Sequence, residues 1–408
     1  MTQIEKIRQD FPELGEQVYG KALVYLDNAA TSQRPLSVIS KWTEMTEKYN
    51  ANLHRAVHRI ADLATSEYES TRDAVQKYLN AEFREEIIFT SGATASLNLV
   101  AFSFGEAFVR EGDEIIVGEA EHHSNIVPWQ LLCERKKAIL KVLPIDDSGH
   151  LRVDLLPGLL TPNTKLVCVA HISNVLGLLN PVKEIVNICH SNNCAVLVDG
   201  AQGIVHERVD VRDLGCDFYA FSGHKVYAAP GTGVLYGRRT LLEQMPPYMG
   251  GGEMIGTVTF EHTTYAPLPG KFEAGTQNLS AVPTLKPALD LARRMRCPEV
   301  EESQRAITDY LLRELGSDPR IRVYGVPSDP AEKIPLFSFS VQGAHHEDLA
   351  LILDKLGVAV RSGQMCAEPL MDRFGVTGMV RASFAPYNTL GEAEVFVGAL
   401  RRAIEMLR

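Results

Sequence analysis

The chain has 408 residues, 45% hydrophobic and 23% charged, enough for roughly two to three domains of ~150 residues with sizeable cores. A net charge of −10 argues against nucleic acid or an acidic membrane surface as a partner, and no apolar run reaches the ~18 residues of a membrane span. The mixed-charge start MTQIEKIRQDFPEL is unlike a targeting peptide, and seven cysteines without a CxxC pair argue against a disulfide framework or zinc ribbon and for a reducing compartment, read as the cytoplasm.

Residues 1–14 read as a short amphipathic helix, and 24–26 as a strand running into the turn Asp27-Asn28-Ala29-Ala30-Thr31. Across 35–80, Val38, Trp42, Met45, Tyr68, Val75 and Tyr78 follow helical spacing, with NLHRAVH (52–58) between. From 86 onward strands alternate with helical patterns: EIIF (86–89), EIIVG (114–118), LKVLPI (140–145), KLVCVAH (165–171), AVLVDG (195–200), DFYAFSG (217–223) and GVLYG (233–237). These runs are too apolar to expose a face, which predicts a mostly parallel seven-stranded sheet covered by helices. Residues 246–283 lack a regular pattern and read as a long functional loop. A helical stretch near 284–317 then leads into IRVYG, PLFSFSV, a helix from Glu347 to Leu356, VAVRSG, VRASFA and a terminal helix over 391–407. The expectation is an α/β protein. A large domain spans 21–283, and a smaller α+β domain combines 1–20 with 284–408, the N-terminal helix packing on the latter.

Chemistry concentrates at strand ends. Lys225 lies just past FYAFS, and a lysine there is either a solvated loop residue, the commoner case, or a Schiff-base lysine. Asp199, 26 residues upstream, ends AVLVD and decides for the second reading. Ligands of open α/β sheets bind beyond carboxyl strand ends, and an Asp for the ring nitrogen with a Lys for the aldehyde is the pair pyridoxal phosphate needs. Ser222 and His224 flank the lysine and could serve the phosphate. Ser91-Gly92-Ala93-Thr94, between EIIFT and a helical pattern, makes a phosphate cradle with Thr94 as side-chain donor.

His122 and His123, after EIIVG, could be a metal pair or supply one flat imidazole over an aromatic cofactor. Adjacent histidines on a strand point to opposite faces and no ligand constellation accompanies them, so no metal is expected. Free cysteines are usually core residues, but Cys366 sits in a polar Gly-containing loop with Arg361 nearby to favour a thiolate. Arg381, in VRASFAP, is either an ion-pair partner or a bidentate clamp for a carboxylate.

Together LDNAAT, NLHRAVH, EHHSNIVPWQ, HISNVLG, VDGAQG, FSGHK, FEAGTQN, RSGQMCA and VRASFAPYN resemble the cysteine desulfurase/selenocysteine lyase family of the class V aminotransferase fold, and RSGxxCA resembles its group II branch. The resemblance runs from about Leu26 to the C-terminus. It implies a pyridoxal phosphate fold-type I homodimer acting on L-cysteine or L-selenocysteine and passing sulfur to an acceptor protein for iron–sulfur cluster assembly. It implies that Lys225 binds the cofactor covalently, Asp199 pairs with the ring nitrogen, Gln202 contacts the ring oxygen and His122 stacks on the ring. Ala93, Thr94, Ser222 and His224 would hold the phosphate, joined by Thr276 of a second subunit. Arg381, Arg361, Asn174, Asn28 and Ala29 would form the substrate side, and Cys366 would accept sulfur. Group II relatives commonly carry a His in at least one of the two positions before this cysteine, where this chain has Gln364 and Met365. An aminotransferase or kynureninase-like enzyme and an inactive sulfur-carrier scaffold are the competing readings. Cys366 speaks against the first, and Lys225 with Asp199 and His122 against the second.

Overall fold

The structure is a computed structural model that describes residues 2–54 and 57–407; Arg55 and Ala56 of NLHRAVH lie outside the described residues. Its central sheet has seven strands: β1 (Ile87–Thr90), β2 (Glu114–Gly118), β3 (Ile139–Leu143), β4 (Thr164–Ala170), β5 (Ala195–Asp199), β6 (Phe218–Ser222) and β7 (Gly233–Gly237). Their order is β1-β7-β6-β5-β4-β2-β3. All pairs are parallel except those of β7, which runs antiparallel to β1 and β6.

Burial on both faces explains the uninterrupted apolar runs. Val167, Val169, Val196, Val198, Tyr219 and Phe221 enter one core cluster. Their alternates Leu166, Cys168, Leu197, Phe218 and Ala220 enter another. Two helices matter most for the site: α1 (Arg59–Leu79), and α2 (Ala93–Phe108), which starts directly after the Gly92 turn.

A second, antiparallel sheet is built from β8 (Ile321–Tyr324), β9 (Leu336–Val341), β10 (Arg361–Gly363) and β11 (Met379–Ser383), ordered β8-β9-β11-β10. Phe337 and Phe339 of β9 pack with Ile307, Leu311, Phe396 and Leu400 of the helices covering it. Val24–Tyr25 pairs in parallel with Val358–Ala359.

Three expectations change in detail. The N-terminal helix covers only Gln3–Arg8, and a 3-10 turn at Pro12–Gly15 follows. It packs against the C-terminal part through Arg8, which donates to Glu392 and to Tyr387 O, both at 2.8 Å. The 284–317 stretch is two helices, Leu285–Met295 and Pro298–Gly316, because Cys297 precedes a proline and takes an extended backbone. The 246–283 loop contains a small hairpin, Ile255–Val258 with Thr263–Tyr265. Among the described residues no helix is long and apolar enough to cross a membrane.

That loop is anchored by a buried ion pair. Arg72 of α1 donates to Glu273 at 2.8 and 2.9 Å, and Glu273 also accepts the Phe89 N–H at 2.7 Å. Arg72 lies 4.6 Å from the Phe89 ring and donates to Ile87 O. Removing one partner of such a pair strands the other charge in the core, so Glu273→Ala should destabilise the fold by about 3–5 kcal/mol. Chemical denaturation of Glu273→Ala and of Arg72→Met/Glu273→Ala checks this. The double variant should recover part of the loss, and an unchanged midpoint in the single variant would contradict the anchoring role.

Candidate active site

The carboxyl ends of β5 and β6 open on a cavity of about 690 Å³, within the usual size range of small-molecule sites. Asp199, the last residue of β5, is buried, and its Oδ1 accepts the Ala201 N–H at 2.9 Å. Lys225 stands at the end of the short turn Gly223–Lys225 that follows β6, and it lines the same cavity. Burial lowers the pKa of the Lys225 amine, against the attraction of Asp199. Burial raises that of the Asp199 carboxyl, against the pull of Lys225 and the Ala201 N–H.

At one end of the cavity α2 presents its first turn, whose N–H groups have no partner within the helix. Ala93 N–H donates to Ser222 Oγ at 2.8 Å, and Thr94 Oγ1 lies 2.7 Å from Ser124 Oγ. The turn is tight: a Cβ on Gly233 of β7 would stand 2.4 Å from Gly92 Cα, so a side chain there would push the strand off the cradle. His224 completes this end, its Nδ1 3.2 Å from Thr31 Oγ1.

His122 lines the cavity from the turn after β2. Its Nδ1 accepts the Ser124 N–H at 3.0 Å, so the neutral ring keeps its proton on Nε2. Burial, reinforced by Lys225, His123 and Arg381, pushes its pKa down to about 4. Beneath it Glu121, 1% exposed, accepts Asn125 Nδ2 at 2.6 Å and the Ala170 N–H at 2.9 Å. Asn125 in turn accepts Trp129 Nε1–H at 3.0 Å. Burial raises the pKa of Glu121 to about 8. Sequence reasoning gave Glu121 no role. The structure shows it pinning the turn that presents His122.

The second sheet supplies the opposite wall. Arg381 of β11 is buried, donates Nη1–H to Asn174 O at 2.8 Å and places Nη2 3.4 Å from Asp27 Oδ1. Its Nε is buried without a partner. Arg361, more exposed, pairs with Asp27 Oδ2 at 2.7 Å. A planar cation with an unpaired buried donor suits a bound carboxylate.

Cys366 is exposed at the rim, and it and Met365 both have left-handed backbones, φ 55° and 53°. Two groups hold this turn. Asn174 Nδ2 donates to Met365 O at 2.9 Å, and His123 N–H donates to Cys366 O at 2.7 Å. His123 Nε2 also accepts the Glu368 N–H at 2.9 Å. From sequence His123 enters only as half of a possible metal pair, because the bonds it makes join segments far apart in the chain.

Of the residues singled out from sequence, the structure brings thirteen to this cavity, Ala29 and Gln202 among them. Gln202 Nε2 donates to Ala29 O at 2.9 Å. Two lie elsewhere. Asn28, expected on the substrate side, does not line the cavity. Its amide donates to Ser383 O and Asn388 Oδ1, and its carbonyl accepts from Tyr387 OH, which leaves no free group for a substrate. Thr276 is exposed and lines no part of this chain's own cavity.

The donor set fits pyridoxal phosphate. A buried carboxylate faces a lysine across the cavity, a helix N-terminus lies at one end, a flat imidazole lines the wall, and a buried arginine Nε is unpaired.

His122, His171 and His224 are each pushed by burial from the usual 6.5 to about 4. Between about pH 6.5 and 4 the unfolded chain therefore binds more protons than the folded one, and stability falls as pH drops through that window. Denaturation midpoints between pH 7 and 4.5 should show this slope. His171→Gln should flatten it; an equal slope in that variant would mean that other groups carry the acid sensitivity.

The sequence matches the family model of class V aminotransferases over residues 24–396. It is 43% identical over 407 residues to a probable cysteine desulfurase of Vibrio cholerae, covering 100% of both chains. It is 44% identical over 405 residues to a cysteine desulfurase of Pectobacterium carotovorum, covering 99% of this chain and 98% of that one. The crystal structure of the cysteine desulfurase CsdA from Escherichia coli superposes with a TM-score of 0.91 at 38% identity, with both chains covered in full. The chain belongs to the class V aminotransferases, a pyridoxal phosphate family, and stands among their cysteine desulfurases.

Proposed function

We propose that this protein is a pyridoxal phosphate-dependent cysteine desulfurase that converts L-cysteine to L-alanine and takes the sulfur onto Cys366 as a persulfide. The observation that carries the reading is the single cavity lined by Lys225, Asp199, Arg381 and the exposed thiol of Cys366. An aminotransferase or kynureninase-like enzyme has no use for a nucleophilic thiol at that rim, and an inactive scaffold has none for a lysine and a buried aspartate lining one cavity.

The bound cofactor supplies an electron sink that acidifies the substrate Cα–H. Lys225 anchors it, and with its amine pKa lowered by burial it is suited to take the Cα proton. Asp199 would hold a proton at the ring nitrogen, while the α2 N-terminus, Ser222, His224 and Thr94 would bind the phosphate. The neutral His122, which lines the same cavity, would stack on the ring of the bound cofactor and could relay a proton through Nε2–H. Arg381 orients the substrate carboxylate, its free Nε and one Nη making a bidentate contact. Cys366 as thiolate attacks the substrate sulfur. The S–S bond forms as the Cβ–S bond breaks, and the electron pair left on Cβ takes a proton to become the alanine methyl group.

Selenocysteine as a second substrate, delivery to an acceptor protein for iron–sulfur cluster assembly and a cytoplasmic setting follow from the same reading. So does the two-domain division, with the boundary near Asp27. A homodimer is proposed because Thr276 sits in a loop anchored by Glu273 yet points to none of its own chain's cavity, which suits a role at a neighbour's phosphate. Sedimentation of the active enzyme should give a dimer; a fully active monomer would remove Thr276 from the site.

Cysteine sulfur is a poor leaving group and needs a nucleophile to take it, whereas a selenol ionises more readily and its C–Se bond is weaker. Cys366→Ala should therefore lose most L-cysteine turnover, each tenfold being about 1.4 kcal/mol of barrier, and keep a substantial part of its selenocysteine activity. Alanine release from both substrates at saturation checks this. Equal loss on both would refute a sulfur-specific role, and equal retention would exclude Cys366 as the acceptor.

A further inference from the structure

The segment Asn174–Gly177 hands four consecutive carbonyls to donors from the C-terminal part of the chain. Asn174 O receives Arg381 Nη1 at 2.8 Å, and Val175 O receives Ser338 Oγ at 2.5 Å. Leu176 O receives Lys333 Nζ, and Gly177 O receives the Ile334 N–H at 2.9 Å. Its own N–H groups turn inward onto Ser173: Oγ accepts from Val175 and Leu176, and the carbonyl from Gly177. Backbone packs directly on backbone here. A Cβ on Gly177, at φ +68°, would stand 2.9 Å from Leu336 O, and one on Gly325 would stand 2.8 Å from Leu176 O. The segment cannot shift without breaking several bonds together.

Lys333 is the costly member of this clamp. It is 5% exposed, and among the described residues no carboxylate lies within ion-pair distance. The Leu176 carbonyl and the Phe337 ring, 5.0 Å away, face its amine. Burial pushes that amine down to about 7. An apolar side chain would pack in the same place without desolvating an amine, so what distinguishes the lysine is its bond to Leu176 O.

The other end of the segment reaches the nucleophile. The Asn174 side chain holds Met365 O, the carbonyl just before Cys366 in the left-handed turn. We propose that Lys333, assisted by Ser338, is a positioning residue for Cys366: it clamps the Asn174–Gly177 segment, which fixes the turn that presents the thiol. This rests on Cys366 as the sulfur acceptor.

The test compares wild-type holoenzyme with Lys333→Met and Ser338→Ala. Amide hydrogen exchange is read at His123, whose N–H bonds Cys366 O, and at Glu368, whose N–H bonds His123. Local opening of the turn should speed both about tenfold, equivalent to about 1.4 kcal/mol, while amides of β5 and β6 stay unchanged. L-cysteine turnover should show kcat falling by a similar factor, with KM and the cofactor absorbance unaltered. A lower denaturation midpoint with unchanged exchange at His123 and Glu368 would make Lys333 a packing residue only and overturn the proposal. If Lys333→Met does not fold, Ser338→Ala decides by the same readouts. A wild-type enzyme that released no alanine would instead sink the desulfurase reading, and the exchange comparison would still decide the clamp.

Discussion

The centre of the molecule depends on holding a half-buried Lys225 and a buried Asp199 at one cavity. Burial drives each toward its neutral form, and their attraction opposes that drive. The sheet makes this possible, because β5 and β6 are parallel neighbours with Asp199 opposite Ala220, so both residues emerge at one edge. Helices cover both faces of these strands, which leaves the edge as the place where a ligand can enter. β7, the reversed strand, contributes its first residue rather than its last to this edge, and there Gly233 meets Gly92 at the start of α2. The Gly92 turn, the acid and the lysine are thus set by three strand ends of one sheet.

Much of this was legible in the sequence because each feature is local. A buried strand reads as an apolar run, and its end as a polar residue or a Gly turn, so Asp199, Lys225 and the Gly92 cradle could be found from short windows. All seven central strands stand where their runs predict, with ends shifted by a residue or two. The direction of β7 was not legible, since strand polarity is fixed by the connection and not by composition. The hairpin at 255–265 escaped because Gly256 and exposed threonines blur its alternation. Asn28 was misplaced for a similar reason. Its motif marks the right turn, but only the distant Tyr387, Ser383 and Asn388 reveal that its side chain is already consumed.

The turn at Met365-Cys366 shows how contacts distant in sequence can hold a strained backbone. Two consecutive left-handed residues that are not glycine cost about 1–3 kcal/mol each, and such a turn persists only where its surroundings hold it. Here the holding groups are a backbone N–H from His123 and an amide from Asn174, neither of which is near in sequence. The two positions before the cysteine hold Gln364 and Met365 rather than an imidazole, and His123 attaches to the same turn from the first sheet. Its Nε2 accepts the Glu368 N–H, so protonating that nitrogen would break the bond. This makes His123 a structural tie and separates holding the thiol from any task of ionising it.

Selectivity among the seven cysteines follows from burial. Cys168 and Cys216 are fully buried, and their thiols are pushed well above the ordinary range. Cys133 rises to about 11 for the same reason. Cys194 rises too, through its contact with Cys189 and its burial. A thiol held protonated cannot attack sulfur or a second disulfide, so these side chains act as small core hydrophobes. Cys366 alone is exposed, on a backbone held at both of its last two carbonyls, beside the arginine that fits a carboxylate. A persulfide formed there meets solvent and an incoming acceptor, while five of the other six cysteines are buried and Cys297 is half-buried. Packing closes the five buried thiols to that sulfur, and transfer to another molecule is the open route from the exposed turn.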